Sequence, residues 1–284
     1  MDFLPEARPS PIAGTWYAGD PHTLAHQMDA FLAAVKLKQE DLTGKVVGLV
    51  VPHAGHRYSG LTAAYAYKSV ADSPRDLVVI LSPMHQYYPE DFITSAFGAY
   101  QTPLGRVELA MPELRILDEQ LARRGYKLVQ VGADQEHSLE IQLPFLQQAW
   151  QKPFRLMPVM LRVRDSRKVE QFAAALYETI REYDCLIIAS SDLSHFFPLE
   201  EAQTLDGETL RRISRFDPEA VLAGDSDGSA PACGAGAIAA MLEATQRMGA
   251  QKVQILNYSS SADSTGDDSS VVGYGSAAVL IPES

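Results

Sequence analysis

The chain has 284 residues, 46% of them hydrophobic, and a net charge of -12. That is enough apolar material for a sizeable core, while the acidic balance and the lack of an unbroken basic patch argue against nucleic-acid binding. Two cysteines, Cys185 and Cys233, form no disulfide framework and suit a reducing compartment. MDFLPEARPS lacks a basic-then-apolar leader and no apolar run approaches ~20 residues, so the expectation is a cytoplasmic protein that does not enter the membrane.

Taken in order, the chain opens on a predicted helix carrying His22 and His26 as solvated surface residues. Lys45–Val51 (KVVGLVV) reads as a buried strand, Leu61–Val70 as a helix, and Leu77–Leu81 (LVVIL) as a second buried strand. Phe154–Met160 is a weaker strand. The broken basic cluster Arg162–Lys168 is a loop leading to a helix over Val169–Tyr183. Cys185–Ala189 (CLIIA) is a third buried strand, followed by helices at Leu199–Ile213 and Ala237–Met248 and strands at Val253–Tyr258 and Ser276–Ile281. Strand–helix repetition with continuous rather than alternating apolar runs predicts an α/β fold. Its sheet is mixed and largely parallel, flanked by helices on both faces. No linker or internal repeat interrupts it, so residues 1–284 are read as one domain. Ser259–Ser270 lies between strands and reads as a long functional loop.

Polar residues cluster where the apolar runs end. The first run leads to His53, the second to His85, and the third to Asp192 and His195. In open α/β sheets ligands bind outside the carboxyl ends of strands. One histidine after a strand is usually a surface loop residue. Three strands delivering histidine, in a chain with seven of them, point to a shared crevice. In Asp134–Glu140 (DQEHSLE), Asp134 can cap a helix whose first turn holds His137 and Glu140 on one face. A capped amphipathic helix and a site role for His137 both remain open on these residues. Cys233, in SAPACGAGAIAAML, stands where a helix begins, a position that favours a thiolate. Cys185 is a small core residue inside its strand. Imidazoles with one anionic ligand suit a divalent transition metal. No GxGxxG, GxxxxGK[ST], HExxH or CxxC motif offers a competing chemistry.

RPSPIAGTWYAGDP, VPHAGHRYSG, LSPMHQ, DQEHSLEIQLPFL, SSDLSHF and CGAGAI, in that order, closely resemble the Memo family. Its prokaryotic members are often called AmmeMemoRadiSam system protein B. The resemblance runs from about Arg8 to Ile281. It implies a fold like that of class III extradiol dioxygenases. It also implies a metal, Fe(II) first with Cu or Zn as alternatives, held by His53, His85 and Cys233. The dioxygenases have glutamate where Cys233 stands, which puts ring cleavage in doubt. The resemblance further implies an acid/base role for His195, with His137 and Asp192 lining the same pocket. His56 departs from the family, which often has an aromatic residue there, and is expected at the pocket edge, as an adventitious ligand, or on a solvated loop. Animal members are described as metal-binding redox and signalling factors that engage phosphotyrosine peptides. Prokaryotic genes accompany a radical-SAM protein and a third small component. The implied function is a metal-dependent oxidoreductase acting with those partners on an unidentified substrate. The alternative is a non-catalytic protein that binds an anionic or phosphorylated peptide.

Overall fold

The three runs marked as buried strands become neighbours in one sheet. The structure, a computed structural model, describes residues 1–37 and 42–282. The strands are β1 (Leu4–Arg8), β2 (Lys45–Val51), β3 (Leu77–Pro83), β4 (Phe92–Ser95), β5 (Phe97–Thr102) and β6 (Gly105–Glu108). They continue with β7 (Val129–Val131), β8 (Arg155–Leu161), β9 (Cys185–Ser190), β10 (His195–Phe197), β11 (Lys252–Ser260) and β12 (Val271–Ile281). The helices are α1 (Pro21–Ala34), α2 (His56–Lys68), α3 (Met111–Ala122), α4 (Leu143–Trp150) and α5 (Ser166–Ile180). After them come α6 (Leu199–Ser214), α7 (Pro218–Asp227), α8 (Ala235–Arg247) and α9 (Ala262–Thr265).

Among the described residues nine strands form the main sheet, in the order β10-β12-β2-β9-β3-β8-β4-β7, with β11 paired to β12. Its centre is parallel: β9 lies between β2 and β3, and β3 pairs with β8. Antiparallel strands flank that centre, at β12 against β2 and at β4 against β8. Every residue of β3 and β9 is buried, as is β2 from Val46 onward. Successive side chains of a strand point to opposite faces, so both faces are covered. Helix α2 packs on β2 and the β11–β12 hairpin, while α8 packs on β2, β9, β3 and β8. A separate three-stranded sheet, β1-β5-β6, holds the N-terminal strand.

Two elements differ from the expected boundaries for a physical reason. Helix α2 starts at His56, not Leu61, because its first N–H donates to the Trp16 carbonyl, a cap supplied from the N-terminal loop. Ser259–Ser270 is not one loop: β11 runs to Ser260 and the short α9 follows before β12.

Candidate metal centre

Parallel neighbours end on the same edge, so β2, β9 and β3 deliver His53, Asp192 and His85 side by side. His53 is 2% exposed. Its N–H donates to Asp192 Oδ1 at 2.6 Å, which ties the end of β2 to the end of β9. Helix α8 brings in Cys233: its backbone N–H donates to the Asp192 carbonyl, and Gly234 N–H donates to Ser191 Oγ. A Cβ on Gly234 would run into the Ser190 carbonyl oxygen and the Ser191 side chain, so glycine permits this approach. Cys233 Sγ then lies 3.2 Å from His53 Nε2 and accepts the Asp192 N–H at 3.3 Å.

His137 completes the cluster. The ring centroids of His53, His85 and His137 are 4.8–5.4 Å apart, and Trp16 lies tilted against His137 with centroids 4.1 Å apart. One ligand atom from each of these three histidines lies within 4.8 Å of the others. His137 is not on a helix, and Asp134 is not a cap. The first helical residues are a 3-10 turn at Glu140–Gln142. Asp134 instead takes Arg8 as its partner at 2.5 Å, and Arg8 also reaches Glu140 at 2.6 Å and the Glu136 carbonyl at 2.8 Å. This buried network pins the segment bearing His137 to β1.

The hydrogen bonds decide which ring nitrogens are free. Ser190 Oγ gives its single proton to the Ser138 carbonyl at 2.6 Å, so it can only accept from His53 Nδ1 at 3.1 Å. Protonated at Nδ1, His53 turns a bare Nε2 toward Cys233. His85 Nδ1 faces both oxygens of Glu136 at 3.0 and 3.1 Å, so it too carries its proton there and leaves Nε2 free. His195 donates from Nδ1 to the Leu193 carbonyl at 2.9 Å, which likewise frees Nε2.

Electrostatics agree with this assignment at His53. Burial, then the neighbouring His137 and His85, hold His53 well below the ordinary imidazole value, so its lone pair is available at neutral pH. Burial lowers His137 to about 4. Burial opposes protonation of His85, but the hydrogen bond and charge of Glu136 outweigh it and raise the group. Burial pushes Asp192 up to about 7 against the pull of two backbone N–H donors. It also pushes the Cys233 thiol up, so without a cation the sulfur keeps its proton, contrary to the thiolate expected from a helix start. Two unprotonated imidazole nitrogens and an adjacent sulfur fit a divalent transition metal, whose charge would offset the cost of the thiolate.

His195 sits on β10, close enough for its charge to influence His53. The next residue, Phe196, has φ 66° and is 76% exposed, at a register shift between β10 and β12. Such backbone strain persists where surrounding structure imposes it. His56 is neither at a rim nor solvated: it is buried, and its Nε2 donates to the Ile141 carbonyl at 3.1 Å. His22 and His26 are exposed on α1 and Cys185 is buried in β9, as expected. Glu136 and Ser190, which fix the tautomers, were not singled out from the sequence. The only available signal was their adjacency to His137 and Asp192.

A model of the family described as Memo-like protein matches residues 8–278. This chain belongs to the Memo family. A MEMO1 family protein of Methanopyrus kandleri is 33% identical, covering 93% of this chain and 95% of its own length. A relative of the same description in Aquifex aeolicus is 32% identical over 93% of this chain and 95% of its own. Among solved structures, the uncharacterized protein JW3007 of Escherichia coli K12 superposes with a TM-score of 0.59 at 12% identity. It covers 83% of this chain and all of its own, a likeness of fold alone. Among the described residues no helix of this Memo protein is long and apolar enough to cross a membrane.

Proposed function

We propose that this Memo-family chain is a metal-dependent oxidoreductase whose centre is held by His53, His85 and Cys233. Fe(II) is the first expected occupant, with Cu or Zn as alternatives. The observation that supports this reading is the pair of tautomers set by Ser190 and Glu136, which leave bare Nε2 atoms at the ends of β2 and β3, the two strands that flank β9, beside a sulfur. Bound there, the metal would supply a Lewis-acidic and redox-active centre for substrate or O₂. The chain's own residues do the rest. Burial holds His195 below the ordinary imidazole value, so with Nε2 free it is placed to accept a substrate proton and return it. Asp192 holds the His53 backbone, and His137 with Trp16 forms one wall. His137 is also a third nitrogen donor within reach and makes a three-imidazole set the competing arrangement. Cytoplasmic action beside a radical-SAM protein and a third small component is part of the same proposal.

Metal analysis of anaerobically purified protein tests the assignment. The wild type should retain close to one equivalent of Fe, Cu or Zn, and a His53→Ala, Cys233→Ser double variant should lose it. Full occupancy in the double variant would overturn the ligand set.

A second reading has its own support. Trp16 is 37% exposed beside His137, and Arg57 lies over the Tyr58 ring at 5.2 Å. Aromatic and guanidinium groups together suit a phosphorylated or carboxylated peptide. Tight binding of such a peptide by metal-free protein, with no O₂ consumption after metal is restored, would favour it.

A further inference from the structure

Glu136 sets the His85 tautomer, and its charge is what the ligand assignment leaves unused. It is 2% exposed. Oε2 accepts from the His85 N–H at 2.7 Å and from His85 Nδ1 at 3.1 Å. Oε1 accepts from the backbone N–H groups of His137 and Ser138 at 3.0 and 2.9 Å and from Ser138 Oγ at 2.7 Å. Backbone N–H groups donate to both oxygens, to Oε2 from His85 and to Oε1 from His137 and Ser138, a set of donors that suits a carboxylate anion. The titratable side chains that face its carboxylate among the described residues are the imidazoles of His85 and His137; Arg8 reaches its backbone carbonyl, not its carboxylate. A buried anion without a lysine or arginine is a standing electrostatic cost.

We infer that Glu136 is a positioning residue for the metal and that it also selects divalent over monovalent ions. This rests on the metal reading above. Positioning follows from the proton on His85 Nδ1: the carboxylate fixes the ring and points Nε2 inward, as outer-sphere partners of ligating histidines do. Selection follows from charge. A divalent ion bound by two neutral imidazoles and the Cys233 thiolate keeps one net positive charge, and Glu136 cancels it. Monovalent copper with the same ligands is already neutral, so the carboxylate then stands as an uncompensated buried anion. Asp192 Oδ1 is tied to the N–H groups of His53 and Ala54, so it is the same background in either case.

Glu136→Gln separates the effects. Its amide N–H group would face the His85 N–H donors, driving the imidazole proton to Nε2, the nitrogen turned to the metal. The charge is lost at the same time. Co(II) and Cu(I) affinities would be measured by chelator competition in wild type, E136Q and E136D, with the Co(II) absorption spectrum and the metal-free thermal midpoint of each. E136Q is expected to weaken Co(II) by about 10- to 100-fold and Cu(I) much less, because the Cu(I) centre is already neutral and gains nothing from the carboxylate's charge. E136D, which keeps the charge but shortens the reach to His85, is expected to bind Co(II) more tightly than E136Q does and to weaken Co(II) and Cu(I) to a similar extent, leaving the preference between the ions as in wild type. Unchanged Co(II) binding in E136Q, or equal loss of both ions, would overturn the inference while leaving the metal site intact. Should E136Q not fold, E136D decides: a changed preference between the ions would overturn the role of charge. A wild type that binds neither ion would overturn the metal reading together with it.

Discussion

His56 lies three residues from His53 and serves the fold, not the metal. It packs against Tyr17 and Phe145, and burial lowers it to about 4. The unfolded chain takes up this proton near 6.5, so the unfolded state binds more protons between about 6.5 and 4. The stability from keeping His56 neutral is complete above that window and is lost as pH falls through it, roughly 3 kcal/mol in all. His56→Phe should therefore flatten the loss of thermal midpoint between pH 7 and pH 4 relative to wild type. Parallel pH profiles would contradict the assignment. Arg8 makes a different kind of contribution. Replacing it with Met leaves Asp134 and Glu140 buried without their cation, at a cost of about 3–5 kcal/mol. Denaturant unfolding of R8M at neutral pH reads that loss. Position in the sequence told little about either residue, since both partners of each contact lie far along the chain.

Among the elements, the long apolar strands were legible: KVVGLVV, LVVIL and CLIIA became β2, β3 and β9 almost unchanged. Continuous burial leaves no other use for such runs. The short strands β4, β5, β6 and β7 were not legible, because three to six residues carry too little periodicity. Helix α8 shows a boundary set by contact: its Gly234 and Gly236 approach the Ser190 and Val163 carbonyls closely enough that a Cβ would collide. Gly234→Ala must therefore shift the helix start. Overpacking of this kind costs about 1–3 kcal/mol. G234A should lower the thermal midpoint and weaken metal binding together, since Cys233 rides on the same turn. A loss of stability with unchanged metal affinity would show that the turn does not place the sulfur.

At the scale of the whole molecule, metal and fold are expected to be linked. An ion that binds only the folded state adds about 2.7 kcal/mol at one hundred times its Kd. Thermal scans with excess Fe(II), Zn(II) or Cu(I) should rise by several degrees over chelator-treated protein, and H53A should not respond. No shift with any of these ions would count against a preformed centre.

By itself the sequence determined that the chain folds as strands and helices around a buried sheet, and that His53, His85, Asp192 and His195 follow strands. It did so because apolar runs of that length must be covered on both faces and because polar residues interrupt them at their ends. Ordered motifs also marked the family, which the match over residues 8–278 bears out. Only the tertiary structure decided that β9 lies between β2 and β3, that His137 joins the cluster from an irregular segment, and which nitrogen of each imidazole is free. Those are properties of pairs. The proton on His53 is placed by Ser190 and Ser138, and the one on His85 by Glu136, across separations that local periodicity does not encode.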